Sequence, residues 1–395
     1  MNGPAAKRIL VLPSWYPSAV QHAVGDFAQR HIQAIAPFAS QHVIHVIKDE
    51  QGRVTKKNTA VRNEYDSYTE ELIYYHPMKT GLRLLDRFIS DRTYTRLYKK
   101  AITKYIADQG LPALTHVHVG LKAGLLALWL KKKYNVPYLI TEHWSGYLDA
   151  AEEKFTDLIP FIQQRGKQIF EQASMITTVS SVLAKALKKI FELKAFVIIP
   201  NVVDKEVFFT KPHERSETVR FIHASSMAWP KNIEAILKSV ELLKEKDPRF
   251  VLRLFGPLPV ACKALIRTYG ISDHIIHEGE VGQHALAAAM RISDAFIMYS
   301  RYETFGNVII ESNACGLPVI ASDIPVFRET ITENINGVFA GEDDPIALAE
   351  TLFKFMQGKI IFNKQAIVDS ASRYQYEVVG KRFAELYVEL IINNE

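Results

Sequence analysis

Two carboxylates separated by seven residues are the best-equipped groups for chemistry in this 395-residue chain. Glu303 sits in Tyr299-Ser-Arg-Tyr-Glu-Thr-Phe-Gly306, and Glu311 in Asn307-Val-Ile-Ile-Glu-Ser-Asn-Ala-Cys-Gly-Leu-Pro-Val-Ile-Ala321. Carboxylates suit polyols, because each oxygen accepts from a hydroxyl and the pair can grip a vicinal diol. Two glutamates eight apart occur by chance in many helical proteins, so the setting has to decide. Asp294–Tyr299 ends a mostly apolar run suited to a buried parallel strand. Gly306 lets the backbone approach a ligand closely, and Asn307 is expected to cap a helix over Val308–Cys315. Gly316-Leu-Pro318 then stops that helix before an apolar strand, Val319–Ala321. A helix N-terminus at the carboxyl ends of parallel strands is a natural place for phosphate or sugar oxygens.

Further polar residues fall at similar strand ends. In Thr115-His-Val-His-Val-Gly120, His116 and His118 share one face of a strand that Gly120 ends, putting His118 near its carboxyl edge. His143 follows the strand Val136–Thr141. Gly25 precedes the helical pattern Phe27–Ala36 after the first strand, Arg8–Pro13. Lys231, in Ser225-Ser-Met-Ala-Trp-Pro-Lys-Asn232, stands at a strand-to-helix turn from which it can reach a phosphate. No G-x-G-x-x-G occurs, which argues against a dinucleotide dehydrogenase.

The Glu-Thr-Phe-Gly start, the seven-residue gap and the Ala-Cys-Gly-Leu-Pro-Val-Ile-Ala that follows closely resemble the E-x7-E segment of retaining glycosyltransferases of family 4, the group 1 glycosyl transferases. The resemblance implies an α/β GT-B fold, two Rossmann-like lobes facing across an interlobe cleft. It implies that Glu311 holds the donor ribose, and that Glu303, with Phe305 and Gly306, faces the donor sugar. Thr304 and Asn307 belong to the same donor-binding segment. By the family's His-x-His, His118 lies by the donor sugar, and His143 matches its Thr-x-His and belongs in the cleft. Lys231 matches the lysine on the donor diphosphate, but Ser226 stands where the family has arginine. His223 and Arg301 are the candidates to replace that cation. Gly256, in Phe255-Gly-Pro-Leu-Pro259, matches the loop against which base and ribose pack, and Gly25 is what remains of a glycine-rich loop near diphosphate or acceptor. The resemblance thus makes His118, Lys231 and Glu303 the catalytic group. Pro200-Asn-Val-Val-Asp204 resembles the interdomain signature, with Val202 in place of its usual glycine.

These assignments divide the chain at 1–203, an N-terminal acceptor-side lobe, and 204–375, a nucleotide-sugar lobe, with a final helix over 376–395 crossing back to the first. Charge divides too: residues 1–200 carry 27 Lys+Arg against 17 Asp+Glu, and residues 201–395 carry 21 against 26. The basic excess includes Lys56, Lys57, Arg83, Arg87, Arg92, Lys99, Lys100 and Lys131–Lys133, and points to an anionic acceptor or membrane surface. No run of about 18 apolar residues offers a membrane span. Two cysteines suggest no disulfide framework, and with no leader-like N-terminus the expected location is cytoplasmic, peripheral at the inner membrane face. No D-x-D offers metal ligands, and Gly341-Glu-Asp-Asp-Pro345 reads as a helix start capped by Asp344. The expectation is a retaining transferase that needs neither metal nor cofactor. It moves a hexosyl unit from a UDP- or GDP-linked sugar to a glycan or lipid-linked acceptor, with no nucleic-acid partner. Two alternatives stay open: a non-catalytic subunit that binds nucleotide sugar, and another GT-B activity such as a sugar-nucleotide epimerase.

Overall fold

A computed structural model of the protein describes residues 8–22, 24–54, 59–193, 195–212 and 216–394. Lys56 and Lys57 of the basic group, and residues 213–215 of the charged connection after Lys211, lie outside them. Two compact units form. One comprises the chain up to Val179, Leu183–Pro200 and the segment from Tyr376; the other comprises Ser180–Val182 and Asn201–Gln375.

The first unit is built on eight strands: β1 (Ile9–Pro13), β2 (Gln41–Lys48), β3 (Ala60–Glu64), β4 (Tyr68–Tyr75), β5 (Leu114–His118), β6 (Tyr138–Glu142), β7 (Met175–Thr178) and β8 (Phe196–Ile198). Their order is β3-β4-β2-β1-β5-β6-β7-β8, parallel except for the antiparallel β3–β4 pair. Every residue of β1, β5, β6 and β7 is buried, as expected for parallel strands covered on both faces. The second unit holds β9 (Val219–Ala224), β10 (Phe250–Phe255), β11 (Ile275–Gly279), β12 (Ala295–Met298), β13 (Val319–Ala321) and β14 (Gly337–Phe339), all parallel, in the order β11-β10-β9-β12-β13-β14. Phe221, Leu252 and Ile297 of this sheet pack with Ile236 and Val240 of the helix Ile233–Lys244 and Leu348 of the helix Pro345–Met356. Strand order reverses between β1 and β5 in one sheet and between β9 and β12 in the other. Crevices form at such points, outside the carboxyl ends of the strands.

Three segments differ from the sequence reading. Residues 48–100 show little regular pattern, with helical spacing only in Gly81–Ile89 and again in Asp91–Ile106, which predicts two helices; the structure has the β3–β4 hairpin and one continuous helix, Arg83–Gln109. The pattern over Glu152–Ala173 predicts one long helix, but the helix spans only Pro160–Glu171. In the second half the sequence predicts strands near 219–224, 250–255, 275–280, 295–300 and 318–321, and β14 is a further one. Asp344 does cap its helix, accepting from the amides of Ile346 and Ala347 at 2.9 and 3.1 Å, with Pro345 next. The final helix, Tyr376–Ile392, buries Val379, Phe383 and Tyr387 and packs on the helix Asp26–Ile35. Contact is closest at Gly380, where an added Cβ would lie 1.9 Å from the Ala34 carbonyl oxygen. Only glycine fits there.

Candidate active site

In the second unit the β9–β12 crevice gathers most of the residues singled out above. After β9 the chain turns through Ser225–Ala228 into a short turn of helix, Trp229–Lys231. After β12 it runs through Ser300–Gly306 into the helix Asn307–Ala314. The backbone amide of Arg301 donates to the Pro230 carbonyl at 2.8 Å, tying the two loops together. Across this junction the Lys231 ammonium donates to Glu303 Oε1, although the residues are 72 apart in sequence. Their side chains are only 22% and 12% exposed, so solvent screens the pair less than a surface ion pair. Ser300 Oγ donates to the same carboxylate oxygen at 3.3 Å.

Gly306 adopts φ 89°, a left-handed conformation that swings the chain into the helix with little steric penalty. It, and not Asn307, holds the position before the first helical turn. The Asn307 side chain caps nothing; its Oδ1 accepts from Asn201 Nδ2 at 2.7 Å. Phe305 is buried edge-on to Tyr374, Thr304 is half-buried, and Glu311 is buried within the helix. Gly256, φ 130°, ends β10 so close to β9 that a Cβ would meet the Ser225 carbonyl oxygen at 2.0 Å. Ser226 is exposed beside that contact.

Of the two candidates for the absent arginine, His223 is excluded. It is buried, with Nδ1 at 2.8 Å from the Ile297 carbonyl and Nε2 at 2.8 Å from Ser225 Oγ, and burial pushes its pKa down to about 4. A neutral imidazole supplies no cation. Arg301 stands at the right turn, its guanidinium 4.7 Å from the Trp229 ring centroid and its Nη1 2.6 Å from the Trp229 carbonyl oxygen. Its charge is shared between Glu234 at 3.8 Å and Asp343 at 3.7 Å.

In the first unit the β1–β5 crevice holds the other candidates. Gly25, φ 78°, begins the helix Asp26–Ile35; a Cβ there would lie 2.2 Å from the Trp15 backbone carbon. Two residues on, Phe27 stacks on His143 at 4.1 Å between centroids. His116 and His118 do share one face, with rings 4.1 Å apart. His116 is satisfied by the hydroxyls of Tyr387 and Thr141, each at 2.6 Å. His118 and His143 are buried among histidines instead, and desolvation holds both well below the ordinary imidazole range. The left-handed residue after β5 is Val119, φ 62°, rather than Gly120.

Two family models together match most of the chain: "Glycosyltransferase Family 4" over residues 41–207 and "Glycosyl transferases group 1" over residues 204–373. The chain belongs to glycosyltransferase family 4. Among similar curated proteins, an alpha-monoglucosyldiacylglycerol synthase of Streptococcus pneumoniae is 22% identical over 94% of this chain and 86% of its own. A D-inositol 3-phosphate glycosyltransferase of Xylanimonas cellulosilytica is 25% identical over 62% of this chain and 64% of its own. Among solved structures, sucrose-phosphate synthase from Thermosynechococcus elongatus matches 98% of this chain and all of its own at TM-score 0.77 and 18% identity. HepE of Anabaena, solved with UDP and glucose, matches 97% of this chain and all of its own at TM-score 0.71 and 14% identity. These likenesses fix the fold class as GT-B, with two Rossmann-like units.

Sequence reasoning about this glycosyltransferase passed over two residues of the first unit. His31 lies with His118 and His143, at ring-centroid distances of 5.7 and 5.5 Å. Glu70, buried in β4, accepts from the hydroxyl of Tyr16 and lies 3.3–3.4 Å from donors of Asn63, Gln29 and Tyr65. A signal existed for His31, six residues after the helix-starting Gly25 and therefore on its first two turns. Glu70 had none, because its strand was not anticipated.

Proposed function

We propose that this family 4 glycosyltransferase moves a hexosyl unit from a UDP- or GDP-linked sugar to a glycan or lipid-linked acceptor, with retention and without a metal ion. The observation that carries the reading is the meeting of Lys231 and Glu303 at the β9–β12 switch point. Both lie beside the amide-bearing end of the helix that contains Glu311. A cation and a helix N-terminus suit a diphosphate, and carboxylates suit sugar and ribose hydroxyls. In this reading Glu311 holds the ribose, while Lys231 and the Gly306–Asn307 amides face the diphosphate. Glu303 and His118 face the sugar, with Thr304, Phe305, Ser226 and Gly256 forming the rest of the donor wall. His143 and Gly25 serve the acceptor.

The C1–O bond to the diphosphate breaks with its electron pair going to phosphate oxygen, where fixed cations and amide dipoles stabilise the growing charge. The acceptor hydroxyl attacks C1 on the face being vacated, and its proton passes to the departing phosphate oxygen. Atoms and charge balance without a protein nucleophile. That HepE was solved with UDP and glucose supports a uridine donor, and the S. pneumoniae relative's name supports a lipid acceptor.

A lipid-linked acceptor requires approach to a membrane. No helix among the described residues is long and apolar enough to cross one. The start of the helix Arg83–Gln109, however, exposes Leu84 (85%), Phe88 (56%) and Leu85 (42%), with Leu82 and Met78 just before it. Lys79, Arg83 and Arg87 are interspersed with them. Apolar tips among cations favour the interface of an anionic bilayer. We place that contact at the cytoplasmic face, where the free, buried Cys262 and Cys315 meet a reducing environment.

The test is a thermal-shift panel of nucleotide sugars in EDTA, followed by NMR of the product's anomeric configuration. Stabilisation by one donor, and transfer in EDTA with the donor's configuration kept, is the expected result. Inverted product, or transfer that EDTA abolishes and magnesium restores, would overturn the mechanism. Binding without turnover on any acceptor would favour a non-catalytic subunit.

A further inference from the structure

The histidines of the first unit do more than line the β1–β5 crevice. His31 comes from the helix Asp26–Ile35, His118 from the end of β5 and His143 from the residue following β6. One ring nitrogen of each lies within 4.8 Å of the others. The residues are 0%, 0% and 6% exposed. His31 Nδ1 and both ring nitrogens of His118 and His143 have no hydrogen-bond partner among the described residues. A buried polar atom left unpaired costs about 1–3 kcal/mol, so five in one place mark a site shaped for something else. His116, two residues from His118 on the same face, is satisfied at both nitrogens, so the unpaired state is not a general feature of this strand.

The ring chemistry narrows the occupant. His31 Nε2 lies 3.1 Å from the Pro200 carbonyl oxygen, which can only accept. Nε2 therefore carries the proton, and Nδ1, which has no partner among the described residues, keeps its lone pair free. A carbonyl fixing the tautomer from behind is the usual support of a metal-binding imidazole. His143 is held from both sides: Phe27 stacks on its ring, and Glu142 accepts from its backbone amide at 2.8 Å and from that of Trp144 at 2.9 Å. Burial keeps the three imidazoles neutral near pH 7, with His31 held down to about 4. The donor set contains no carboxylate, so calcium and magnesium are poorly served, whereas three imidazoles suit zinc and its neighbours.

We propose that His31, His118 and His143 form a site for a divalent transition-metal ion, zinc foremost, with a fourth position open to water or a ligand oxygen. Zn–N bonds of about 2.0–2.1 Å in a tetrahedral site bring the nitrogens to roughly 3.4 Å apart. Closure from the observed spacing takes side-chain shifts on the order of an ångström, within reach of small rotations about χ1 and χ2. The site shares no residue with the diphosphate group around Lys231, but it takes in His118 and His143, which the proposed reaction assigns to sugar and acceptor. A bound ion would meet those hydroxyls at its open fourth position, and transfer in EDTA reads the metal-free enzyme.

The experiment titrates cobalt(II), and then zinc by competition with a chromogenic chelator, into the full chain freed of affinity tags and stripped with EDTA. Intense visible absorption from tetrahedral cobalt is expected at one equivalent, abolished by zinc. His31→Gln should weaken zinc by at least the roughly 10–100-fold that loss of an outer-shell partner costs. His143→Gln should do the same, and His284→Gln, on the exposed surface, should change nothing. Circular dichroism melts establish that each variant is folded, and one folded cluster variant suffices. Absent cobalt absorption, or zinc affinity equal in wild type and a folded cluster variant, would overturn the site and leave the nitrogens to water or sugar hydroxyls. Neither readout involves a donor sugar, so the result stands apart from the fate of the proposed transfer reaction.

Discussion

Replacing Glu303 with glutamine is expected to tighten binding of the nucleoside diphosphate product while slowing transfer. In the ligand-free arrangement Lys231 is already engaged by Glu303 Oε1, and its positive charge is compensated. A diphosphate that recruits Lys231 has to displace or share that partner. Exposed ion pairs are worth about 0–1 kcal/mol and hydrogen bonds to charged groups about 1.5–3. With side chains 22% and 12% exposed, the pair falls between these limits, at about 1–2 kcal/mol. Glutamine keeps the shape and one carbonyl oxygen but removes the charge, so UDP or GDP should bind roughly 5–30-fold more tightly. Turnover should fall nonetheless, because Glu303 is proposed to face the sugar, and a tighter product leaves more slowly. Calorimetry with both diphosphates on wild type, Glu303→Gln, Lys231→Met and the double variant tests this. In the Lys231→Met background the glutamine should bring little further gain, as a double-mutant cycle requires of a direct pair. Unchanged or weaker diphosphate binding by Glu303→Gln, or the same gain with Lys231 already removed, would refute the reasoning.

Other expectations follow from particular residues. Glu311→Ala should weaken donor binding roughly ten- to a hundredfold, the loss of hydrogen bonds worth about 1.5–3 kcal/mol; unchanged affinity by calorimetry would remove the ribose assignment. Acid should destabilise the fold: burial holds His31, His45 and His223 at about 4 against 6.5 unfolded, so the unfolded chain binds the extra protons between those values. Stability is then complete above the unfolded value and lost as pH falls, by about 2 kcal/mol per histidine at pH 5, which urea unfolding at pH 7.5 and 5 reads as a lower midpoint. Gly380→Ala should destabilise by about 1–3 kcal/mol or more through overpacking against Ala34, and an unchanged melting temperature would contradict the helix contact. Vesicles containing anionic lipid should co-sediment the protein in a salt-sensitive way, weakened by Arg83→Gln/Arg87→Gln and by Leu84→Ser/Phe88→Ser. Equal recovery on neutral vesicles would remove the membrane contact.

How much of the fold was legible depended on whether an element's own residues justify it. The strands β1 and β9 are mostly apolar runs that bury nearly every residue, so apolar content marks them, whereas β5 and β6 are as buried but carry Thr115, His116, His118, Thr141 and Glu142. β3, Ala-Val-Arg-Asn-Glu, is almost wholly exposed, and its strand character comes from pairing with β4. Nothing local announces such an edge. The helix Arg83–Gln109 was divided near Ser90 and Asp91 because polar residues interrupt the apolar pattern there. In the fold Ser90 is buried, its hydroxyl 3.0 Å from that of Tyr75, so the interruption is a satisfied polar contact and the helix runs on.

The candidate site divides in the same way. Glu303, Gly306 and Glu311 lie within nine residues, and one turn followed by one helix is enough to relate them. Lys231 and Glu303 meet only because β9 and β12 are neighbours, a fact of sheet order that no local pattern encodes. His31 looks like any polar residue on a helix until the ends of β5 and β6 arrive beside it. The sharpest case is Val119. A β-branched residue is what a strand pattern favours, and glycine at 120 is the expected place for the chain to turn. The left-handed φ of 62° nevertheless falls on the valine, at a cost of about 1–3 kcal/mol. Its neighbours over-determine it: its amide donates to the Thr141 carbonyl at 3.0 Å, and its carbonyl accepts from Ser14 Oγ at 2.5 Å. Ser14 follows β1 and Thr141 lies in β6, so strands on either side of β5 hold the strain immediately after His118. Conformational stress of this kind persists only where surrounding structure supports it. Here it sits at the strand end that presents the histidines, a position set by three strands together and by none of their sequences alone.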